Sequence, residues 1–171
     1  MKNQFFKLAI STPDGKFIAR YSAKGLAELS FPKVGSARCA DRTSQRDVPT
    51  NEIPAQILRW HRATAAGLKS SLAGRKPKNL PPLDLAGTEF QKRVWNALRK
   101  ISIGRTKSYG EIARAIGRPK AVRAVGGACG ANPIPVLVPC HRVMAAHGKI
   151  GGFGGGLDWK RRLLAREGTK I

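Results

Sequence analysis

The chain has 171 residues, enough for one substantial domain or two small ones, each with its own core. Thirty-two Lys and Arg against ten Asp and Glu leave a formal charge of +22. So large an excess selects polyanionic partners, nucleic acid ahead of an anionic membrane, over the small mixed charge that solubility requires. The three cysteines have no regular spacing, and the start Met-Lys-Asn-Gln-Phe-Phe has no long apolar core. This argues against a disulfide framework, a signal peptide and a membrane span, and for a soluble, reducing, cytoplasmic setting.

In chain order, residues 4–10 and 17–22 flank Thr12-Pro13-Asp14-Gly15, which predicts a β-hairpin, and 25–32 alternate well enough for a third strand. Residues 33–50, with Arg38, Arg42 and Arg46, show no period and read as a loop. From Pro54 the spacing of Ile57, Trp60, Leu68 and Leu72 predicts a helix up to Ala73-Gly74, with Thr64 as a polar interruption of its face. His61 on that helix reads as a packing or surface residue rather than a ligand. Residues 75–85 hold three prolines and a charge run and read as a linker, dividing the chain into domains at 1–74 and 86–171.

Beyond the linker, Thr88-Glu89-Phe90-Gln91 is a capping box opening a helix whose apolar face is Phe90, Val94, Trp95 and Leu98. Ser108-Tyr109-Gly110-Glu111 repeats that signal ahead of Ile112, Ala113 and Ile116, and Pro119 is positioned to open a further helix. Two short helices joined by Gly117-Arg118 read as a helix-turn-helix. The second offers Ala121, Ala124, Gly126, Gly127 and Ala128, with Arg123 as its one long basic side chain. That is too thin for a base-reading code. Each glycine costs roughly 0.8 to 1 kcal/mol of helix propensity, so something must approach closely: a narrow groove, a gap in a base stack, or a packed neighbouring helix.

The chemistry concentrates in Asn132–His147. Pro139 ends the apolar run Ile134–Val138 and presents Cys140 beside His141 and Arg142. Nearby positive charge and a base favour the nucleophilic thiolate, which predicts a pKa lowered from about 8.5 toward neutrality; a structural core cysteine with a surface arginine is the alternative. Residues 148–156 contain six glycines, a loop able to wrap a planar ligand or bind phosphate, without the Lys-Ser or Lys-Thr of a nucleotide-binding P-loop. A final helix from Leu157 puts Lys160, Arg161, Arg162 and Arg166 on its polar side and anchors through Leu163 and Leu164. Glu167 at its far end runs against the helix dipole, so a Cys140/His141/Glu167 relay would explain it. A zinc module of Cys129, Cys140, His141 and His147 is the weaker alternative, because adjacent ligands chelate poorly. Residues 1–85 carry fifteen basic and six acidic side chains, and residues 86–171 seventeen and four, which favours the C-terminal half as the nucleic-acid face, with the basic N-terminal half as the second candidate.

Pro-Cys-His-Arg-Val at 139–143, preceded by Asn-Pro-Ile-Pro and followed by the glycine loop and Leu-Leu-Ala-Arg-Glu-Gly at 163–168, closely resembles the active-site segment of the O6-alkylguanine-DNA alkyltransferases. The resemblance covers 86–171 at high specificity and 1–85 weakly. It implies an α/β N-terminal domain with a small RNase-H-like sheet and a mainly α C-terminal domain with a winged-helix-like helix-turn-helix. It implies a suicide transfer of an alkyl group from O6-alkylguanine, with O4-alkylthymine a further candidate, to Cys140. The base would be flipped out through the minor groove, with double-stranded DNA as the partner, no cofactor, no metal and a monomeric protein.

Carried over, His141 would be the water-mediated base oriented by Glu167, Asn132 would brace the turn, and Tyr109 would hydrogen-bond the flipped guanine and crowd its phosphate. Arg123 would fill the stack, with Ala121, Val122, Ala124, Gly126 and Arg142 also at the DNA. Cys129, Pro135, Val143, Phe153, Gly154 and Gly155 would line the pocket. Phe153 stands where the family often has Tyr, and Gly154 where Ser or Ala is frequent. The N-terminal zinc of some relatives has only Cys39 and His61 as candidates here. A lesion-sensing or architectural minor-groove protein with an incidental Cys140 is the competing reading.

Overall fold

The computed structural model describes residues 4–32 and 53–170, so the expected loop at 33–50, Cys39 included, lies outside the described residues. Strands β1 (Phe6–Thr12), β2 (Gly15–Ser22) and β3 (Gly25–Ser30) form an antiparallel meander in the order β1-β2-β3. The first turn is the predicted one: Thr12 pairs with Gly15, and the Thr12 hydroxyl donates to the Gly15 carbonyl at 2.8 Å and accepts from the Asp14 amide at 3.2 Å. Ile10, Phe17, Ala19, Tyr21, Leu26 and Leu29 are buried with Ile57, Leu68 and Leu72 of α1 (Ala55–Leu72). Thr64 interrupts the stripe without cost because its fully buried hydroxyl donates to the Trp60 carbonyl, 2.8 Å away. His61 is a packing residue, its Nδ1 3.2 Å from the Tyr21 hydroxyl.

The proline-rich segment is not a free linker at its far end. The Leu26 amide donates to Pro82 O at 2.9 Å, the Asp84 amide to Leu26 O at 2.8 Å, and the Ser22 hydroxyl to the Asp84 carboxylate at 2.6 Å. Residues 82–84 thus lie parallel along the edge of β3, with Leu83 bridged to Leu26; proline lacks a donor, but its carbonyl still accepts. Buried side chains of both halves form one cluster, in which the rings of Phe17 and Trp159 meet edge to face at 5.6 Å.

In the C-terminal half both predicted capping boxes are formed, by Thr88 and Gln91 for α2 (Glu89–Leu98) and by Ser108 and Glu111 for α3 (Tyr109–Ala115). Helix α4 (Val122–Gly130) starts three residues later than Pro119 suggested, because residues 119–120 form a turn and Ala121 is the N-cap. It packs on α2, where Trp95 Nε1 donates to the Ala128 carbonyl at 2.8 Å. A parallel pair, β4 (Lys107–Ser108) with β5 (Val143–Met144), brings the end of the active-site segment beside the N-terminus of α3, and α5 (Leu157–Arg166) closes the chain. The whole is a small antiparallel sheet with helices. No described helix is long and apolar enough to cross a membrane.

Candidate active site

Ile134–Val138 is a tight loop rather than a strand: Val136 has φ 72°, rare for a β-branched residue, and Pro135 bridges Val138. Asn132 holds this loop closed. Its Nδ2 donates to Val138 O at 2.8 Å and to Cys140 Sγ at 3.1 Å, while its Oδ1 accepts from the Ile134 amide at 3.1 Å. Pro139 then turns the chain into a single 3-10 turn, Cys140–Arg142, in which all three side chains are buried.

That burial corrects two expectations. Arg142, expected at the DNA, is buried: its Nε donates to Glu167 Oε2 at 3.0 Å, one Nη to Glu167 Oε1 at 2.8 Å and the other to Ile101 O at 2.6 Å. A guanidinium so engaged is a structural clamp on Glu167. Nor is the thiol pulled toward neutrality. Burial pushes the Cys140 pKa up, against the opposing pull of the Asn132 hydrogen bond, backbone amides and the Lys160 charge.

His141 Nε2 lies 3.0 Å from Glu167 Oε1, the relay contact that the sequence suggested. Burial pushes Glu167 up, but hydrogen bonds from His141 and Arg142, and the Arg142 charge, bring it down to about 2, so it is ionised at neutral pH. Burial lowers the His141 pKa, which keeps the ring neutral. A neutral ring facing a carboxylate must carry its proton on Nε2. Nδ1 is then the lone-pair nitrogen, and it is buried with no partner among the described residues.

A cavity of about 310 Å³ opens onto this centre, lined by Cys140, Cys129, Asn132, Pro135, Phe153, Gly154 and Gly155 and, from β3, by Glu28, Leu29, Ser30 and Phe31. Val143, expected in the lining, is fully buried and not among the lining residues, with its carbonyl accepting from Lys160 Nζ at 2.5 Å. Tyr109 is half-buried against the glycine loop: a side chain at Gly151, where φ is 67°, would approach its hydroxyl to 3.3 Å. Burial and the neighbouring thiols Cys129 and Cys140 raise the Tyr109 pKa, so its hydroxyl stays a donor.

Lys160 is the residue whose place the sequence reading missed. It does not join Arg161 and Arg162 in solvent; it is wholly buried, reaching Val143 O and, at 3.4 Å, Gly152 O. The signal was its position: Trp159, Lys160, Leu163, Leu164 and Glu167 are one helical stripe. Phe31 was missed for want of any local pattern, since its partners Phe17, Phe153 and Trp159 are distant in sequence.

On α4, Val122, Arg123, Ala124 and Gly127 are exposed, and Ala121 and Gly126 partly so. A Cβ at Gly127 or Gly130 would meet nothing within 4 Å, so internal packing does not explain these glycines. The zinc reading loses its ligands: His141 is committed to Glu167, and His147 is exposed on a separate 3-10 turn. Among the described residues no group of three or more His, Cys, Asp or Glu is placed to hold a metal ion.

The family model for the DNA-binding domain of 6-O-methylguanine DNA methyltransferase matches residues 89–169. A methylated-DNA–protein-cysteine methyltransferase of Methanosarcina acetivorans is 51% identical over 158 residues, which is 92% of this chain and 95% of that one. One from Mycolicibacterium paratuberculosis is 64% identical over 85 residues, and there the match spans 50% of this chain and only 52% of the relative. The structure of Mycobacterium tuberculosis OGT in complex with DNA superposes with a TM-score of 0.73 at 38% identity, covering 95% of this chain and 91% of that one. With nearly the full length of both the archaeal relative and the mycobacterial structure matched, the chain belongs to the methylated-DNA–protein-cysteine methyltransferase family.

Proposed function

We propose that the protein repairs DNA directly, by transferring the alkyl group of O6-alkylguanine in a duplex irreversibly to Cys140. The observation that carries this reading is the chain of contacts behind the sulfur. An ionised Glu167, clamped by Arg142, fixes His141 as the Nε2–H tautomer and leaves Nδ1 as a buried, unpartnered base on the residue that follows Cys140, which itself lines the cavity. Because burial raises the thiol, the proton leaves as the sulfur attacks rather than beforehand.

In that step the thiol proton passes toward His141 Nδ1, a carbon–sulfur bond forms and the bond from carbon to O6 breaks. Guanine departs as an anion that Tyr109 stabilises by donation and that recovers a proton, so no external co-reactant is needed. Asn132, donating to the sulfur and bracing the Pro135–Val138 turn, holds the nucleophile in line. A thioether has no acyl carbon for water to attack, so each molecule reacts once.

The alkylated carbon lies inside the duplex, and the base must leave the stack at a cost of a few kcal/mol. The exposed small residues of α4 suit entry into the minor groove, Arg123 suits the gap left by the base, and Gly127 admits a backbone without meeting protein. In the same reading β4, β5, α3 and α4 make a winged-helix-like unit and the meander an RNase-H-like sheet, and the protein acts as a monomer in the cytoplasm. A lesion sensor with an incidental cysteine would leave the Arg142–Glu167–His141 chain without a purpose.

The test is turnover. A duplex with one O6-methylguanine, added in excess, should yield one equivalent of restored guanine per protein, and a second portion none. Continued turnover, or no restored guanine at all, would count against the reading.

A further inference from the structure

One wall of the cavity beside Cys140 comes from the other half of the chain. The Leu29 amide donates to Pro133 O at 2.9 Å, fixing the end of β3 against the active-site segment. Two residues on, Phe31 lines the cavity with Cys140, Pro135 and Gly155. Its ring is held on three sides, 5.0 Å from Trp159, 5.5 Å from Phe17 and, edge to face, 5.6 Å from Phe153, whose own ring lies 6.4 Å from that of His141. The fit to the glycine loop is tight, since a Cβ at Gly155 would lie 2.6 Å from the ring. A side chain with two torsions, seated among three aromatics, cannot swing away without losing those contacts.

We propose that Phe31 is a specificity-determining residue that limits the size of the alkyl group Cys140 can accept. The inference rests on the alkyl-transfer reading and deepens it. A methyl group needs little room beyond the flipped guanine, whereas a benzyl group must extend along the cavity wall where Phe31 stands. Removing a few carbons from a wall in an apolar pocket changes discrimination by about tenfold or more.

The experiment compares single-turnover transfer from duplexes carrying O6-methylguanine and O6-benzylguanine, read by intact protein mass, for the full-length protein and for Phe31→Ala and Phe31→Leu. The benzyl-to-methyl rate ratio should rise about tenfold in Phe31→Ala and by less in Phe31→Leu. Phe31→Leu keeps an apolar plug and carries the comparison if Phe31→Ala does not fold, as judged by near-ultraviolet circular dichroism. Both rates falling together, with an unchanged or lower ratio, would overturn the inference while leaving alkyl transfer standing. An unreactive parent protein would overturn both.

Discussion

At the scale of single residues the site turns on Glu167, whose carboxylate is buried and bonded by both Arg142 and His141. Its ionisation is linked to folding. The carboxyl is depressed from 4.5 to about 2, so its contribution is fully present above about pH 4.5 and is lost as pH falls from there toward 2. The difference corresponds to about 3 kcal/mol. Glu167→Gln should lose this acid dependence, leave Arg142 buried without its counter-charge at a cost of about 3–5 kcal/mol, and slow alkyl transfer by letting His141 adopt the wrong tautomer. Urea unfolding at several pH values, with transfer rates under conditions where both proteins are folded, checks this. An unchanged transfer rate in folded Glu167→Gln would remove the residue from the mechanism.

At the scale of elements, α4 offers the sharpest separation between stability and function. Gly127 has open space around its Cα and sits in a helix, so Gly127→Ala should stabilise the free protein by up to about 1 kcal/mol. If the exposed face of α4 enters a groove, the same methyl should weaken binding to duplex DNA. Thermal unfolding and a binding titration on one preparation read both, and a gain in stability with undiminished affinity would take Gly127 out of the interface. The capping boxes of α2 and α3 were legible in the sequence because their hydrogen bonds close within three residues. The start of α4 was not, because a proline compatible with a first helical turn is equally compatible with the turn before it. Lys160 was hidden by its residue type: a lysine inside an apolar stripe reads as solvent-facing unless carbonyls await it, and those of Val143 and Gly152 come from another part of the chain. Arg142 was misread likewise, because its partners Ile101 and Glu167 lie 41 and 25 residues away.

At the scale of the molecule, the two halves share one core, which a linker at 75–85 did not foretell. Phe17 and Phe31 cover Trp159, Leu29 is tied to Pro133, and Arg166 grips Asp14 through two 2.7 Å contacts beside the C-terminal end of α1. Residues 86–171 expressed alone should therefore expose Trp159 and Phe153, unfold at lower temperature than the full chain and bind a hydrophobic dye; an isolated half as stable as the whole would show the shared core to be dispensable. The motif Pro139–Val143 was legible as chemistry, and the structure adds why its parts stand together: a buried clamp behind the histidine, a braced turn behind the sulfur and an aromatic wall from the far half. The central claim is that Cys140 is the alkyl acceptor. Its most direct test is peptide mapping by mass spectrometry after mixing the protein with a duplex containing one O6-methylguanine, with Cys140→Ser alongside. One methyl group on the peptide bearing Cys140, stoichiometric with protein and absent from the variant, is the predicted result. Tight binding to that duplex with no methyl gained, or a methyl on another residue such as Cys129, would contradict it.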